Sequence, residues 1–491
     1  MGKAEKQHDE KPCHIVVIGN GMVGQRFMEL LIKKSSKSLN ITCIGDEKQY
    51  PYNRMLLTEY FEHRDVSQLS LCEKEWYIEH KINVVCNTRV LSLNTMSQHI
   101  VFDNPAKEDL HYDTAVLATG SAAYVPTMPG CTLTGVFVYR TISDLDEMIQ
   151  YGEKLLTNGA ARVGILGGGL LGLEAAKAVR DLGCEVTIIE RNPHLMPRQL
   201  DADGSDILMK SVRTLGVSLL LNHTTIAIHD NNGNVSSIVF KDNVSLPVDM
   251  VIFATGIRPR DDVAKASNIA TRVKGGGIIV NDFLETNVTN VYAIGECASH
   301  NEMTYGLVAP GYSMASVLAS RLVSVADDVS SLTFDGGDLS TKLKLMGVEV
   351  ASFGAYQMAL NSNSDNDDDF IPLVYNNPSE GVYKKLLFSK DSKTLLGGML
   401  VGDTSQYPKF LLLCQNKIKL KDPPSVLLFG SPGQKENSTD LPDSIQVCSC
   451  NNVTKGDIKS AVVEKECVTL KKLKGTYTVT YKHSVNVQTV K

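Results

Sequence analysis

The chain has 491 residues, of which 43% are apolar and 21% are charged, and this composition is ordinary for a globular protein of about three domains. A net charge of −6 gives no basis for expecting nucleic acid as a partner. The eleven cysteines, apart from the pair at 448 and 450, are scattered singly, which indicates a reducing compartment and not a disulfide framework. The N-terminus MGKAEKQHDEKP resembles neither a secretory nor a transit peptide, and no apolar run is long enough to span a membrane, so we expect a cytoplasmic protein without a membrane partner.

The first structural signal is HIVVIGNGMVGQRFMELL, residues 14–31. A short β-branched run predicts a strand, Gly19, Gly21 and Gly24 predict a tight turn, and a helical pattern follows. A second apolar run ends in acid, at ITCIGDE, residues 41–47. Strand, glycine turn, helix and strand together predict the opening of a doubly wound nucleotide-binding domain.

Glycine is required at these three positions for physical reasons. It is needed where the strand turns into the helix, where the backbone approaches a pyrophosphate, and where helix and strand pack closely. The helix N-terminus then offers free N–H groups and a partial positive charge to phosphate. Glycines also mark ordinary turns, but the acids Asp46 and Glu47 after the next strand favour a nucleotide site here.

The same pattern recurs at RVGILGGGLLGLEAAKAV, residues 162–179, with Gly167, Gly169 and Gly172 at the equivalent positions. Two intact dinucleotide sites in one chain indicate a flavin facing a nicotinamide, whereas a structural duplication with one lost site is the less favoured alternative.

The strand after the second glycine turn, EVTIIER, ends at Glu190. A carboxylate at this position accepts hydrogen bonds from ribose hydroxyls and repels a 2′-phosphate. We therefore expect a preference for NADH, with NADPH as the alternative because Arg191 offsets part of the repulsion.

Later strands complete both predicted nucleotide-binding domains. TAVLATGS (114–121) closes the first and DMVIFATGIRP (249–259) closes the second. NVYAIGECAS (290–299) supplies one more strand after the second unit, which predicts that the first domain is split by the second.

The sequence pattern changes after about residue 325. STKLKLMGVEVASFGAY (340–356) is interpreted as a helix end and a strand, and GVYKKLLFSKDSKTLLGGMLVGDT (381–404) as a β-hairpin. Residues 432–444 are rich in Pro, Ser and Asn and predict a linker. It leads to VCSCNNVTKG, in which Cys448 and Cys450 have the spacing of two thiolate ligands of an iron–sulfur cluster.

Taken together, these motifs resemble those of the two-dinucleotide-binding flavoprotein reductases, and in particular the N-terminal half of the large subunit of assimilatory NAD(P)H-dependent nitrite reductases. The resemblance runs from about residue 14 to about residue 470. Its most specific parts are YPYNRMLLTEYF, FVYRTISDL, FATGIRPRD, YAIGECAS, GLVAPGYSMA, LLGGMLVGDTS and LPDSIQVCSCNNVTKGDI.

The resemblance implies an α/β fold with two doubly wound dinucleotide-binding domains, the FAD domain being interrupted by the NADH domain. A mixed α+β C-terminal domain and a partial [2Fe–2S]-type segment follow. The implied boundaries are 14–145 and 276–325 for the FAD domain, 146–275 for the NAD(P)H domain, 326–431 for the mixed domain, 432–444 for the linker and 445–491 for a truncated or diverged [2Fe–2S] segment.

The resemblance also implies roles for single residues. The FAD site would contain Gly19, Gly21, Met22, Gly24, Asp46, Glu47, Arg54, Ala118, Thr119, Gly120, Gly295, Glu296 and Pro310. The NAD(P)H site would contain Gly167, Gly169, Leu170, Leu171, Gly172, Glu174, Glu190 and Gly256, with Glu174 beside the nicotinamide. Hydride would pass from NADH to FAD, so no catalytic side chain is demanded.

The segment that would pass electrons on to an acceptor differs from the family's cysteine pattern. Relatives complete the [2Fe–2S] site with a Cys-x-x-Cys after Cys448 and Cys450, but only Cys467 follows here, so we expect an incomplete cluster site. The sirohaem cysteines are also missing, so nitrite reduction by this chain alone is not expected and a separate sirohaem and iron–sulfur protein is one candidate acceptor. The alternatives are a stand-alone NADH oxidase, a rubredoxin or ferredoxin reductase, and a non-catalytic FAD- and NADH-binding redox sensor.

Overall fold

The computed structural model describes residues 13–35, 39–159, 161–323, 332–361, 370–430, 443, 446–448 and 453–464. The chain forms two compact units, each made of separate stretches. Unit 1 consists of Met1–Tyr124, Arg140–Leu145 and Ile257–Gly337, and unit 2 of Val125–Tyr139, Asp146–Gly256 and Asp338–Lys491.

The strands up to the second glycine turn are β1 (His14–Ile18), β2 (Asn40–Ile44), β3 (Ile82–Val85), β4 (Val90–Asn94), β5 (His99–Phe102), β6 (Leu110–His111), β7 (Thr114–Leu117), β8 (Ser121–Ala123), β9 (Val136–Val138) and β10 (Arg162–Leu166). Those that follow, up to residue 304, are β11 (Glu185–Glu190), β12 (Ser218–Leu221), β13 (Thr225–Asn231), β14 (Asn234–Phe240), β15 (Ser245–Pro247), β16 (Met250–Phe253), β17 (Ile257–Pro259), β18 (Ile278–Val280), β19 (Val291–Ala293), β20 (Ala298–His300) and β21 (Met303–Thr304). The remaining strands are β22 (Thr341–Leu345), β23 (Val348–Gly354), β24 (Ile371–Asn377), β25 (Val382–Phe388), β26 (Leu395–Val401), β27 (Gln446–Cys448) and β28 (Val453–Thr454).

The helices are α1 (Met22–Lys34), α2 (Leu57–His63), α3 (Lys74–Glu79), α4 (Ile142–Thr157), α5 (Leu170–Asp181), α6 (Ala202–Thr214), α7 (Asp262–Ala266), α8 (Val308–Val323), α9 (Gln357–Asn361), α10 (Tyr407–Gln415), α11 (Ser425–Phe429) and α12 (Lys455–Glu464). Short 3-10 turns occur at Arg54–Leu56, Val66–Leu69 and Gly295–Cys297. Among the described residues, no helix combines the length and the apolarity needed to cross a bilayer.

Unit 1 is built on a parallel sheet in the order β19-β7-β1-β2-β3. Its strands are short and rich in β-branched residues, and the central ones are buried on both faces, as expected when helices cover a parallel sheet. Strand β19 pairs with β7 although more than 170 residues separate them. The predicted split of the first domain is therefore confirmed.

Unit 2 contains a second parallel sheet, in the order β12-β11-β10-β16-β9. The antiparallel strands β13, β14 and β15 lie beside it and contribute to a common apolar core that includes Phe240 and Phe253. The second doubly wound domain is thus confirmed as well.

The two units divide the chain differently from the implied boundaries at 145/146 and 275/276. Strand β9 already belongs to the second sheet, and the chain returns to unit 1 at β17, which pairs antiparallel with β8. Strands of three residues carry too little periodicity to be recognised in a sequence.

The C-terminal part of unit 2 is an antiparallel sheet in the order β22-β23-β26-β25-β24, covered by α10 and α11 around a core containing Phe353 and Phe410. The hairpin predicted within 381–404 is present as β25 and β26. The helix end predicted at 340–356 is wrong, because β22 and β23 form a hairpin there. Met346 and Gly347 both have positive φ at its turn, and methionine is not a residue that signals such a turn.

Asp201 links the second doubly wound fold to the C-terminal sheet. Its Oδ1 accepts the backbone N–H of Gly204 at 3.1 Å and so caps α6. Its Oδ2 accepts the hydroxyl of Tyr383 at 2.7 Å and the ammonium of Lys385 at 2.9 Å, both on β25. Burial, followed by the hydrogen bond to this carboxylate, raises the pKa of Tyr383, so the phenol remains a donor at neutral pH.

We expect Asp201→Ala to lower the free energy of unfolding of unit 2 by about 2–4 kcal/mol, because a helix cap and two partly buried partners lose their acceptor together. Chemical denaturation measures this loss. Asp206→Ala, an exposed change on the same helix, should stay within about 0.5 kcal/mol of the parent. Equal losses in the two variants would show that the carboxylate of Asp201 has no special role.

Candidate functional site

The first glycine turn is held so tightly that two of its glycines have no room for a side chain. Gly19 has φ +115°, and a Cβ there would lie 2.2 Å from the carbonyl oxygen of Ala118. A Cβ at Gly24 would lie 2.5 Å from the carbonyl oxygen of Gly19. By contrast, a Cβ at Gly21 would meet nothing within 4 Å, so the N-terminus of α1 faces open space. This is the cradle that a pyrophosphate requires.

The second glycine turn repeats this geometry. Gly167 has φ +117°, and a Cβ there would lie 2.4 Å from the carbonyl oxygen of Ala254. A Cβ at Gly172 would lie 1.9 Å from the carbonyl oxygen of Gly167, and Gly169 faces open space at the N-terminus of α5. The chain therefore contains two glycine turns with the same geometry, each followed by a helix whose N-terminal glycine has open space around it.

The acids that follow the two turns are not at equivalent positions. Glu190 directly follows the residue paired with the last residue of β10, and Gly45 has that position in unit 1. A side chain at Gly45 is excluded because its Cβ would lie 2.0 Å from Asn20. Asp46 therefore stands one residue further along the chain than its counterpart in unit 2.

The carboxylate of Glu190 ties the second glycine turn to the end of β11. It accepts the backbone N–H of Gly168 at 2.7 Å and both the backbone N–H and the side-chain amide of Asn192, at 2.9 and 2.6 Å. The residue is only 7% exposed, so its charge is stabilised by these donors.

A cavity lies beside the first glycine turn and is lined in part by Asp46, Glu47, Arg54 and Thr119. Asp46 forms an ion pair with Arg260 on the cavity wall. The structure thus brings together the acids predicted from the sequence and an arginine that sequence reasoning missed.

Arg54 is held inside a partly buried network. It forms an ion pair with Glu47, donates to the hydroxyl of Tyr52 at 2.8 Å and to the carbonyl oxygen of Arg140 at 3.2 Å. Tyr52 in turn donates to Glu47 at 2.7 Å. The carboxylate of Glu47 is therefore already bound by Arg54 and Tyr52. By contrast, 34% of the Asp46 side chain is exposed.

Glu296 lies in the 3-10 turn after β19 and forms a second network. Its carboxylate accepts a hydrogen bond from Arg140 at 2.5 Å and one from the hydroxyl of Ser121 at 2.6 Å. Arg140 also donates to Ser121, at 2.6 Å. Sequence reasoning missed both partners, although Arg140 stands in the motif FVYRTISDL, to which no residue role was attached.

The other residues implied for the first site surround the same strand ends. Ala118 donates its backbone N–H to Ile18, Gly120 has φ +67° with open space around it, and Gly295 packs against Val23 of α1. Pro310 is buried in α8, which packs along α1. Met22 is buried at the first position of α1.

Near the second turn, Leu170 and Leu171 are partly buried at the start of α5, and Gly256 has φ +118° with open space around it. Glu174, on the second turn of α5, is a half-buried carboxyl. Burial raises its pKa to about 7, so the carboxyl is partly protonated near neutral pH.

The cysteine segment is described only in part. Cys448 ends β27, which pairs with β28, while Cys450 and Cys467 lie outside the described residues. The predicted incompleteness of the cluster site therefore stays a prediction.

Comparison with known proteins connects this geometry to two families. Residues 13–316 match the pyridine nucleotide-disulphide oxidoreductase family, and residues 340–418 match the rubredoxin NAD⁺ reductase C-terminal domain. The ferredoxin reductase for the CYP199A2 system from Rhodopseudomonas palustris shares the fold, with a TM-score of 0.71 at 22% identity over 82% of this chain and 95% of its own.

Curated relatives are more similar in sequence. The nitrite reductase [NAD(P)H] of Emericella nidulans is 41% identical over 94% of this chain and 44% of its own length. The nitrite reductase (NADH) large subunit of Escherichia coli is 39% identical over 94% of this chain and 52% of its own length. The chain thus spans about half the length of these relatives.

The glycine geometry predicts opposite effects for neighbouring substitutions. We expect Gly21→Ala to change the free energy of unfolding by at most about 1 kcal/mol, since its extended backbone and open surroundings accept a methyl group. The methyl group would nevertheless occupy the cradle, so flavin binding should weaken at least about tenfold. Flavin content and thermal unfolding measure the two effects.

Gly24→Ala is the matched control. Its Cβ would overlap a backbone carbonyl, so this variant should lose about 1–3 kcal/mol of stability. Full flavin retention by Gly21→Ala, or normal stability of Gly24→Ala, would contradict the assignment of cradle and packing glycine.

Proposed function

The chain belongs to the pyridine nucleotide-disulphide oxidoreductase family and is a FAD-dependent NAD(P)H oxidoreductase, and from this premise we propose that it is the electron-input part of a nitrite-reductase-type system. In this proposal NADH is the donor and an iron-containing protein is the acceptor. The single observation that carries the proposal is the pair of glycine turns with open helix N-termini at Gly21 and Gly169. One dinucleotide fold alone would fit many dehydrogenases.

FAD is assigned to unit 1. Its pyrophosphate would lie against Gly19, Gly21, Met22 and Gly24, and its adenosine ribose would donate to Asp46, which keeps more exposed surface than Glu47. Bound FAD would supply the hydride-accepting flavin N5.

The remaining residues of unit 1 orient this cofactor. Arg140 and Ser121 hold Glu296 in one position, and its remaining acceptor capacity would serve the ribityl side. Arg54, held by Glu47 and Tyr52, would reach the phosphates. Ala118, Thr119, Gly120, Gly295 and Pro310 complete the walls.

NADH is assigned to unit 2. Its pyrophosphate would lie against Gly167, Gly169, Leu170, Leu171 and Gly172, with Gly256 opposite and the ribose at Glu190. Glu174 keeps its carboxyl partly protonated at neutral pH, which avoids a full negative charge at the place assigned to the nicotinamide.

The proposed acceptor is a separate protein carrying sirohaem and an iron–sulfur centre. The identity to nitrite reductases over 94% of this chain supports an acceptor of this chemistry. The match of residues 340–418 to the rubredoxin NAD⁺ reductase C-terminal domain supports a small iron protein as the alternative acceptor.

Anaerobic mixing tests the proposal. The purified chain should carry flavin, and one equivalent of NADH should remove most of its visible absorption, since hydride transfer reduces the flavin. Retained absorption would exclude the reductase function and leave the redox-sensor alternative. Subsequent addition of nitrite, oxygen or a rubredoxin separates the acceptors, and nitrite alone should not restore the colour.

We expect Glu190→Gln to reduce the preference for NADH over NADPH by about tenfold. The amide keeps an acceptor for the N–H of Gly168 but removes the charge that repels a 2′-phosphate. The ratio of kcat/KM for the two nucleotides is the measurement. Glu185→Gln, at the exposed start of the same strand, is the control, and an unchanged ratio in Glu190→Gln would contradict the ribose assignment.

A further inference from the structure

An arginine, Arg260, lies on the wall of the cavity beside the first glycine turn. The sheet of unit 1 places β1, and with it Gly19, between β7 and β2. The backbone of Arg260 is hydrogen-bonded to Thr119, just beyond the end of β7. Its side chain forms an ion pair with Asp46, just beyond the end of β2. The ion pair therefore bridges the two strand ends on either side of the glycine turn.

The backbone of Arg260 is fixed from two sides. Its N–H donates to the carbonyl oxygen of Gly120 at 2.9 Å, and its own carbonyl oxygen accepts the hydroxyl of Thr119 at 2.6 Å. The residue directly follows β17, which is paired with β8. Arg260 therefore lines the cavity from a backbone that is fixed by hydrogen bonds.

The contact with Asp46 is two-pronged. Nη1 lies 3.3 Å from Oδ1, and Nη2 donates to Oδ2. Burial raises the pKa of Asp46, but the hydrogen bonds and charge of Arg260 outweigh this effect and leave the pKa below its ordinary value. Asp46 is thus fully ionised at neutral pH, and each oxygen keeps a lone pair that can accept a ribose hydroxyl.

We propose that Arg260, through its ion pair with Asp46, retains the adenylate half of FAD in the site; we call this role the clasp. Through it the site distinguishes FAD from FMN. This inference rests on the assignment of FAD to unit 1. A dinucleotide with its pyrophosphate on the glycine turn and its ribose at Asp46 has its adenylate end beside the Arg260–Asp46 bridge. FMN lacks that half, so its affinity does not depend on the bridge.

Arg260→Gln tests the clasp in the full-length chain. Release of FAD from the holoprotein, followed by the rise in flavin fluorescence, should become about tenfold faster, because a charge-assisted, two-pronged contact is lost. FMN affinity of the apoprotein should change less than twofold. Arg260→Lys keeps the charge without the fork and should fall between the parent and Arg260→Gln.

Arg258→Gln is the matched control. Arg258 lies two residues earlier, is exposed, and has its guanidinium 4.1 Å from the ring centroid of Tyr124. This variant changes the net charge equally and should release FAD at the parent rate. In addition, FAD release from the parent should accelerate with NaCl more than release from Arg260→Gln, since salt screens the half-exposed ion pair.

The clasp is overturned if Arg260→Gln releases FAD at the parent rate, if it weakens FMN as much as FAD, or if Arg258→Gln has the same effect. These outcomes leave the proposed function intact, because the parent still binds FAD. A parent chain that binds neither FAD nor FMN would instead overturn the proposed function and the clasp with it.

Discussion

The close approach between each cofactor helix and its own glycine turn is the constraint on which both dinucleotide folds depend. The carbonyl oxygens of Gly19 and Gly167 occupy the places where side chains of Gly24 and Gly172 would begin. The strand, turn and helix are therefore held at one distance, while a Cβ at Gly21 or Gly169, at the N-terminus of each helix, would meet nothing within 4 Å. Packing thus depends on the missing side chains of Gly24 and Gly172, and the proposed anion binding depends on those of Gly21 and Gly169.

Charged side chains provide the second level of order in unit 1. Glu47, Tyr52 and Arg54 form one partly buried group, and Ser121, Arg140 and Glu296 form another. The carbonyl oxygen of Arg140 accepts a hydrogen bond from Arg54 and so joins the groups. Such half-buried pairs add little net stability, because desolvation offsets attraction, but they fix where each charge stands. Fixed charges are what a bound dinucleotide needs, since its phosphates and hydroxyls must meet donors and acceptors that do not reorganise.

Short-range patterns explain how much of this fold the sequence predicts. The strands of β-branched residues, the glycine turns and the apolar run of β19 are all local signals, and each is found in the structure. The hairpin of β22 and β23 was missed because Met346 carries a positive φ that its residue type does not announce. The strands β9 and β17, of three residues each, are equally invisible to periodicity.

Long-range contacts explain what the sequence does not predict of the site. Asp46 and Arg260 are 214 residues apart, and Arg140 and Glu296 are 156 residues apart. No spacing rule connects such pairs, because they meet only through the strand order β19-β7-β1-β2. The offset between Asp46 and Glu190 is likewise a matter of packing, since Asn20 fills the space that a side chain at Gly45 would require.

The first site is built from residues that lie far apart along the chain. Residues 14–121 supply the glycine turn, Asp46 and the end of β7, but Arg260 and Glu296 arrive only after the chain has passed through the second doubly wound fold. Without residues beyond 256, β7 would be left as an open sheet edge, because β19 is its outer neighbour. Such an edge favours association with other chains over a closed cofactor cleft. In chain order, the residues of the first dinucleotide fold are therefore complete only after those of the second, although its sequence begins first.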